Sequence, residues 1–235
     1  MDNAAVFPKR WLSPDALEVL YEDNHLISVN KPAGVLVQGD RSGEKSLMDV
    51  VKEYIRERYQ KPGNVFLGLV HRLDRPVGGV VLFARTSKAA SRLMRQWKAH
   101  EVRKTYWAVV EGRPEPERGR IEGYFRKSGK RVRAARKGDP GAREAALKYR
   151  TLAHRKGFSL VEVVLITGRK HQIRIQLSQA GCPIAGDVKY GAGAFLEDKT
   201  IRLVARSLTF QHPVAGGQIT ISVDTKALED EFSMA

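Results

Sequence analysis

The chain has 235 residues, 42% hydrophobic and 29% charged, a composition that excludes a disordered tail or a fibre and allows a sizeable core. No apolar run approaches the roughly 20 residues of a membrane span, the first residues lack a signal-type apolar core, and the lone Cys182 excludes an internal disulfide and a cysteine-based metal site, so a reducing cytoplasm is expected. Forty-one Lys and Arg against 26 Asp and Glu give a net charge of +15, which on a globular chain points to a polyanionic partner.

In chain order, residues 1–16 contain two prolines and read as an irregular leader. Residues 17–22 and 25–30 are short apolar runs around Asp23-Asn24 and predict a hairpin. Residues 46–59 predict a helix: Ser46 can cap it, Asp49 sits in its first turn, and Leu47, Val50, Val51, Tyr54 and Ile55 share one face. Residues 66–70 predict a strand that runs into His71-Arg72-Leu73-Asp74-Arg75-Pro76, and residues 80–84 a buried strand. A helix follows from a Ser87 cap to about Lys98, with Leu93, Met94 and Trp97 inward. Residues 105–110, 146–153, 158–166, 201–204 and 219–223 predict strands, and 167–180 a helix closed by Gly181. No repeat or linker interrupts the chain. The expectation is an α+β fold: a leader over 1–16, then one domain over 17–235 with a basic insertion at about 126–156.

That insertion is the main concentration of charge. Residues 126–156 hold twelve basic side chains and two acids, Asp139 and Glu144, so phosphate contact is a better reading than a solvated loop. The stretch has little aliphatic content and predicts a mobile arm or a long hairpin loop. Arg131, Arg133, Arg136 and Lys137 are its candidate RNA contacts.

Three local patterns carry chemistry. In Val70-His71-Arg72-Leu73-Asp74-Arg75-Pro76-Val77-Gly78-Gly79, a strand delivers one carboxylate between two arginines. Such a carboxylate is kept ionised and suits a nucleophile or an electrostatic stabiliser, although a surface ion-pair cluster has the same appearance. In Thr167-Gly168-Arg169-Lys170-His171-Gln172-Ile173-Arg174, Arg169, Gln172 and Arg174 lie near a helix start that would attract an anion, and an ordinary basic helix is the alternative. In Lys104-Thr105-Tyr106-Trp107 the aromatics could stack on bases or fill the core. His71 and His171 lack metal-ligand spacing, and no glycine-rich nucleotide loop or dinucleotide fingerprint is present.

In this order these segments resemble the RluA family of RNA pseudouridine synthases. The matching pieces are Asn30-Lys31-Pro32-Ala33-Gly34, His71-Arg72-Leu73-Asp74-Arg75, Lys104-Thr105-Tyr106, Thr167-Gly168-Arg169-Lys170-His171-Gln172-Ile173-Arg174, and Gly181-Cys182-Pro183-Ile184-Ala185-Gly186-Asp187 with Tyr190-Gly191. The likeness runs from about residue 17 to 224. It implies a single catalytic domain with a mixed, mostly antiparallel β-sheet, flanking helices and a central RNA-binding cleft, and isomerisation of uridine to pseudouridine with no cofactor and no metal. It implies that Asp74 is the essential carboxylate, that Tyr106 stacks on the target base, that Arg174 pairs with the aspartate, and that Arg72 fills the gap left by the flipped base. The RNA-contacting set is then Arg72, Arg75, Lys104, Arg169, His171 and Gln172, together with Arg131, Arg133, Arg136 and Lys137.

Two departures stand out. Pro76-Val77-Gly78-Gly79 replaces the family's usual Thr-Ser-Gly continuation, and Gln176 stands where a histidine is usual. Only about 16 residues precede the first predicted strand, too few for the small RNA-binding domain of many relatives. Large-subunit ribosomal RNA is the expected substrate, with a tRNA or dual-specificity synthase as the alternative and a catalytically silent RNA-binding or assembly protein as the rival of another class. A monomer without an obligate protein partner is expected.

Overall fold

The computed structural model describes residues 13–128 and 131–234. Most of the expected leader, together with Gly129 and Lys130 of the basic stretch, lies outside them, as does the side chain of Arg131. In chain order the first elements are β1 (Val19–Glu22), β2 (Leu26–Lys31), α1 (Leu47–Arg58), β3 (Gly68–Leu69), β4 (Gly78–Ala84) and α2 (Ser87–Lys98). There follow β5 (Arg103–Glu111), β6 (Arg118–Ser128), β7 (Arg131–Ala135), β8 (Arg143–Arg155), β9 (Phe158–Leu165), α3 (Gln172–Gln179), β10 (Leu203–Gln211), β11 (Gln218–Ser222) and α4 (Lys226–Met234). The fold is α+β with a mostly antiparallel arrangement of strands. No helix among the described residues is long and apolar enough to cross a membrane. Two compact units form, one from residues up to 102 with 197–200 and 205–223, the other from 103–196, 201–204 and 224 onward.

In the first unit the strand order is β1-β2-β4-β10, with β11 on β10 and β3 on β4. The β1–β2 hairpin forms where Asp23-Asn24 predicts a turn, because Asp23 Oδ1 accepts from the backbone N–H of His25 and of Leu26, both at 2.7 Å. Every residue of β4 is buried. Gly79 lies beside β10 with φ +111°, and a Cβ there would collide with the backbone of Ala205, so this position admits only glycine. Ser46 caps α1 in a reciprocal box with Asp49, and Leu47, Val50, Val51 and Ile55 are buried as expected.

Some local expectations need correction. The strand expected over 66–70 shrinks to Gly68–Leu69. Helix α2 is capped by Thr86, whose side chain accepts from the Ala89 N–H, and not by Ser87. Leu93 is buried, but Met94 is exposed.

In the second unit the order is β5-β9-β8-β6-β7, each neighbouring pair antiparallel. The basic stretch is therefore no loose arm: β6 and β7 form a hairpin, and β8 starts at Arg143 on the other side of β6. Its order comes from backbone ladders on both sides of β6, which need no apolar alternation in the sequence. One face of this sheet carries Tyr106, Val163, Tyr149 and Phe125, and α3 packs on it where Ile175 meets Phe125 and Ala145. The opposite face carries Val109 and Leu160, covered by Leu228 and Phe232 of α4, a helix the sequence pattern did not suggest.

Helix α3 begins five residues later than the 167–180 pattern predicts. The hydroxyl of Thr167 donates to Gln172 Oε1 at 2.8 Å and accepts from the Ala146 N–H at 2.9 Å, so residues 167–171 form a loop. His171 enters the helix in a left-handed conformation, φ +56°.

Candidate active site

In the first unit, the chain leaving β3 passes through Val70, Leu73 and Val77, all buried, and these apolar anchors fix a loop on which Asp74 is half-buried and Arg72 exposed. The Val77 N–H donates to the Asp74 carbonyl at 3.1 Å and closes the turn. His71 is structural here: its Nε2 accepts from the Leu82 N–H at 2.9 Å, and its ring stacks on Trp97 with centroids 5.2 Å apart.

A second loop, after β2, holds the first. Lys31 has no exposed surface, and its ammonium donates to the carbonyls of Val35 at 2.7 Å, Pro32 at 2.9 Å and Arg75 at 3.2 Å. Burial pushes the Lys31 pKa down to about 7, and the nearby Asp74 charge opposes that fall. The Gly34 N–H also donates to the Arg75 carbonyl, at 2.7 Å, while Arg75 Nε returns a bond to the Gly34 carbonyl at 2.9 Å. The remaining guanidinium nitrogens of Arg75 grip Glu44 in a two-pronged ion pair at 2.9 and 2.8 Å. Arg75, expected as an RNA contact, thus ties both loops together, and the backbone on either side of Asp74 is pinned.

In the second unit, Tyr106 lies in β5 and Arg174 in α3, and both are buried. Arg174 donates from Nε to Asp187 Oδ2 at 2.6 Å and from Nη2 to Asp187 Oδ1 at 2.7 Å. Its guanidinium carbon lies 4.8 Å from the centre of the Tyr190 ring, a cation–π distance. The Tyr190 hydroxyl meets His171 Nδ1 at 2.5 Å. Gly186-Asp187 and Tyr190-Gly191, quoted above only as matching motif pieces, therefore hold Arg174 in place.

Gln172 is buried and its side chain is occupied within the protein: Oε1 accepts from Thr167 and from the Arg169 N–H, and Nε2 donates to the Ala146 carbonyl at 3.0 Å. Arg169 Nε donates to the Glu144 carbonyl at 2.8 Å. Lys104 is buried, and burial, reinforced by Arg169, lowers its pKa. Gln176, the residue in place of the usual histidine, is buried and donates to the carbonyls of Ile121 and Ala145. Arg133, Arg136 and Lys137 are exposed. Among the described residues no group of three or more His, Cys, Asp or Glu is placed to hold a metal ion.

The sequence singles out Asp74, Tyr106 and Arg174 as candidates but gives no role to Lys31, Glu44 or Asp187. Lys31 carried one readable signal, a lysine closing a strand whose other residues are uncharged. Glu44 lies 31 residues from Arg75 in the chain, and nothing local announces the pair.

Known proteins resemble this chain in sequence and in fold. Residues 25–179 match the family model described as RNA pseudouridylate synthase. The ribosomal large subunit pseudouridine synthase D of Zymomonas mobilis is 32% identical over 219 residues, covering 88% of this chain and 69% of that protein. The tRNA pseudouridine synthase C of Pasteurella multocida is 35% identical over 227 residues, covering 87% of this chain and 90% of that protein. Among solved structures, human RNA pseudouridylate synthase domain containing 4 superposes with a TM-score of 0.75 at 26% identity, covering 90% of each chain. With two thirds of its length inside the family model, the chain belongs to the RNA pseudouridylate synthase family.

Proposed function

We propose that the protein converts uridine to pseudouridine in large-subunit ribosomal RNA, with Asp74 as the essential carboxylate and Tyr106 and Arg174 serving the same reaction. The observation that carries this reading is the pinning of the Asp74 loop by Lys31 and Arg75, which fixes the carboxylate on the loop between β3 and the buried strand β4. A fixed anion stabilises the positive charge that builds on a ribose as its glycosidic bond breaks. In the net reaction the N1–C1′ bond breaks, the C5–C1′ bond forms, C5 gives up its proton and N1 gains one. Asp74 enters either by attacking C1′ or by removing a neighbouring sugar proton. The uridine is extruded from folded RNA at a cost of a few kcal/mol, and the planar guanidinium of Arg72 takes its place in the stack. Tyr106 stacks on the freed base.

The other proposed RNA contacts are Arg75, Lys104, Arg169 and His171, with Arg131 and Arg133 on β7 and Arg136 and Lys137 just after it; Gln172, buried and bonded to Thr167 and Ala146, serves the site by holding the 167–171 loop. The enzyme works in the cytoplasm as a monomer, without cofactor or metal. A tRNA substrate is the second reading, favoured by the tRNA synthase of Pasteurella multocida, of which this chain covers 90%. Mapping pseudouridine in ribosomal RNA and tRNA from wild-type and deletion strains tests both. A ribosomal site lost on deletion supports the first reading, a tRNA site alone supports the second, and no change in either RNA contradicts both.

A further inference from the structure

The β7-β6-β8 part of the second unit has one face rich in charge. Antiparallel register places Arg118 opposite Arg150, Arg120 opposite Lys148, and Arg126 opposite Arg133. Residues directly opposite share a face, so these six basic side chains stand on one side of the sheet, and all six are exposed. The acids on the same face are Glu122, Glu144 and Glu162. Arg120 pairs with Glu122 and Arg150 with Glu162, but Arg118, Arg126, Arg133 and Lys148 make no ion pair or side-chain hydrogen bond among the described residues.

Like charges facing each other across a ladder destabilise a sheet. Glu122 and Glu162 partly relieve two of the three pairs, but Arg126 and Arg133 face each other with no ion pair to either among the described residues, a repulsion that a bound anion would relieve. The register also fixes which side they occupy. Trp107, Glu162, Arg150 and Arg118 lie in one row across the sheet, while Tyr106, Val163, Tyr149 and Gly119 lie in the adjacent row on the opposite side. The basic face is thus the reverse of the face that carries Tyr106 and α3.

We propose that this reverse face is a second RNA-binding surface, gripping the phosphate backbone of RNA that flanks the target nucleotide. The inference takes its ligand class from the function proposed above. Five of the six side chains are arginines, whose planar forks suit phosphate oxygens. The row from Arg118 to Arg126 spans eight residues of strand, about 27 Å, long enough to follow a backbone past several phosphates. Tyr124, between the basic rows, is half-buried, and Trp107 packs toward α4. With no freely exposed ring to stack on bases, the surface reads phosphates and is indifferent to sequence.

The test is a salt titration of RNA binding by the wild-type chain and an Arg118→Gln/Arg126→Gln/Lys148→Gln variant. Two probes are used: a long structured transcript of large-subunit ribosomal RNA and a short uridine-containing stem-loop. Three lost phosphate contacts flatten the slope of log affinity against log salt by about 2 to 3 on the long transcript. The stem-loop, too short to reach the reverse face, shows no change of slope. The variant also melts at the same temperature as wild type or higher, because the facing charges are relieved. Equal slopes on the long transcript, an equal loss on the stem-loop, or a lower melting temperature would each overturn the proposal. So would a variant that loses only its binding to phosphatidylserine vesicles, which would make the face a membrane contact. Wild-type pseudouridine formation is measured separately, and its absence from both RNAs contradicts the proposed function while leaving the binding comparison readable.

Discussion

Arg174 and Asp187 meet through two hydrogen bonds, at 2.6 and 2.7 Å, with both side chains buried. Removing one partner of a buried, doubly hydrogen-bonded ion pair is destabilising. Asp187→Ala is therefore expected to lower the unfolding free energy by more than about 1 kcal/mol, measured by urea titration. A change under about 1 kcal/mol would show that the pair does not hold α3 to the Asp187 loop.

Lys31 makes stability depend on pH in an unusual direction. Its folded pKa is about 7 against an ordinary 10.5, so between those values the unfolded chain holds a proton that the folded chain has released. The unfolding free energy then rises with pH through that window, and below it the full cost of burying the ammonium is present. Comparing the wild-type chain with Lys31→Met isolates this term. The wild-type chain is expected to gain on the variant as pH rises from about 7 to about 10. A difference that is flat, or that shrinks, would contradict the assignment.

The Glu44–Arg75 pair, at 2.8 and 2.9 Å, is a different case, because both side chains are nearly half exposed. Exposed pairs contribute under about 1 kcal/mol. Glu44→Gln is expected to change stability by no more than that, read from the same urea titration, while the Lys31 and Gly34 bonds keep the Asp74 loop in place. A loss of several kcal/mol would mean that the outer ion pair, and not the buried ammonium, carries the loop.

Much of this architecture is written locally and could be read in advance. Ser46 and Asp49 announce α1, Asp23-Asn24 announces the first hairpin, and the motifs around Asp74, Tyr106 and Arg174 carry their family signature. What escaped depends on partners distant in the chain. The 167–171 segment has helical periodicity, but the hydrogen bonds of Thr167 to Ala146 and Gln172 hold it as a loop. Strand β7 has almost no apolar pattern, and it exists because β6 offers it a backbone ladder. The roles of Lys31 and Asp187 were hidden because a buried charge shows its purpose only through what it touches: three carbonyls for one, Arg174 for the other.

Activity is expected to be unchanged in excess EDTA and without any added cofactor. The sequence has one cysteine, and its described residues contain no cluster of metal-ligating side chains. Loss of turnover on chelation, restored by one specific metal, would contradict this.

The most direct test of the central claim is pseudouridine formation by Asp74→Asn on RNA from a deletion strain. The substitution keeps the shape of the side chain and removes its charge, so it removes the stabilisation of the reacting sugar while leaving the surface of the loop intact. The account predicts no detectable turnover, with RNA binding within a few-fold of wild type. Appreciable turnover by the purified variant would show that Asp74 is not the essential carboxylate.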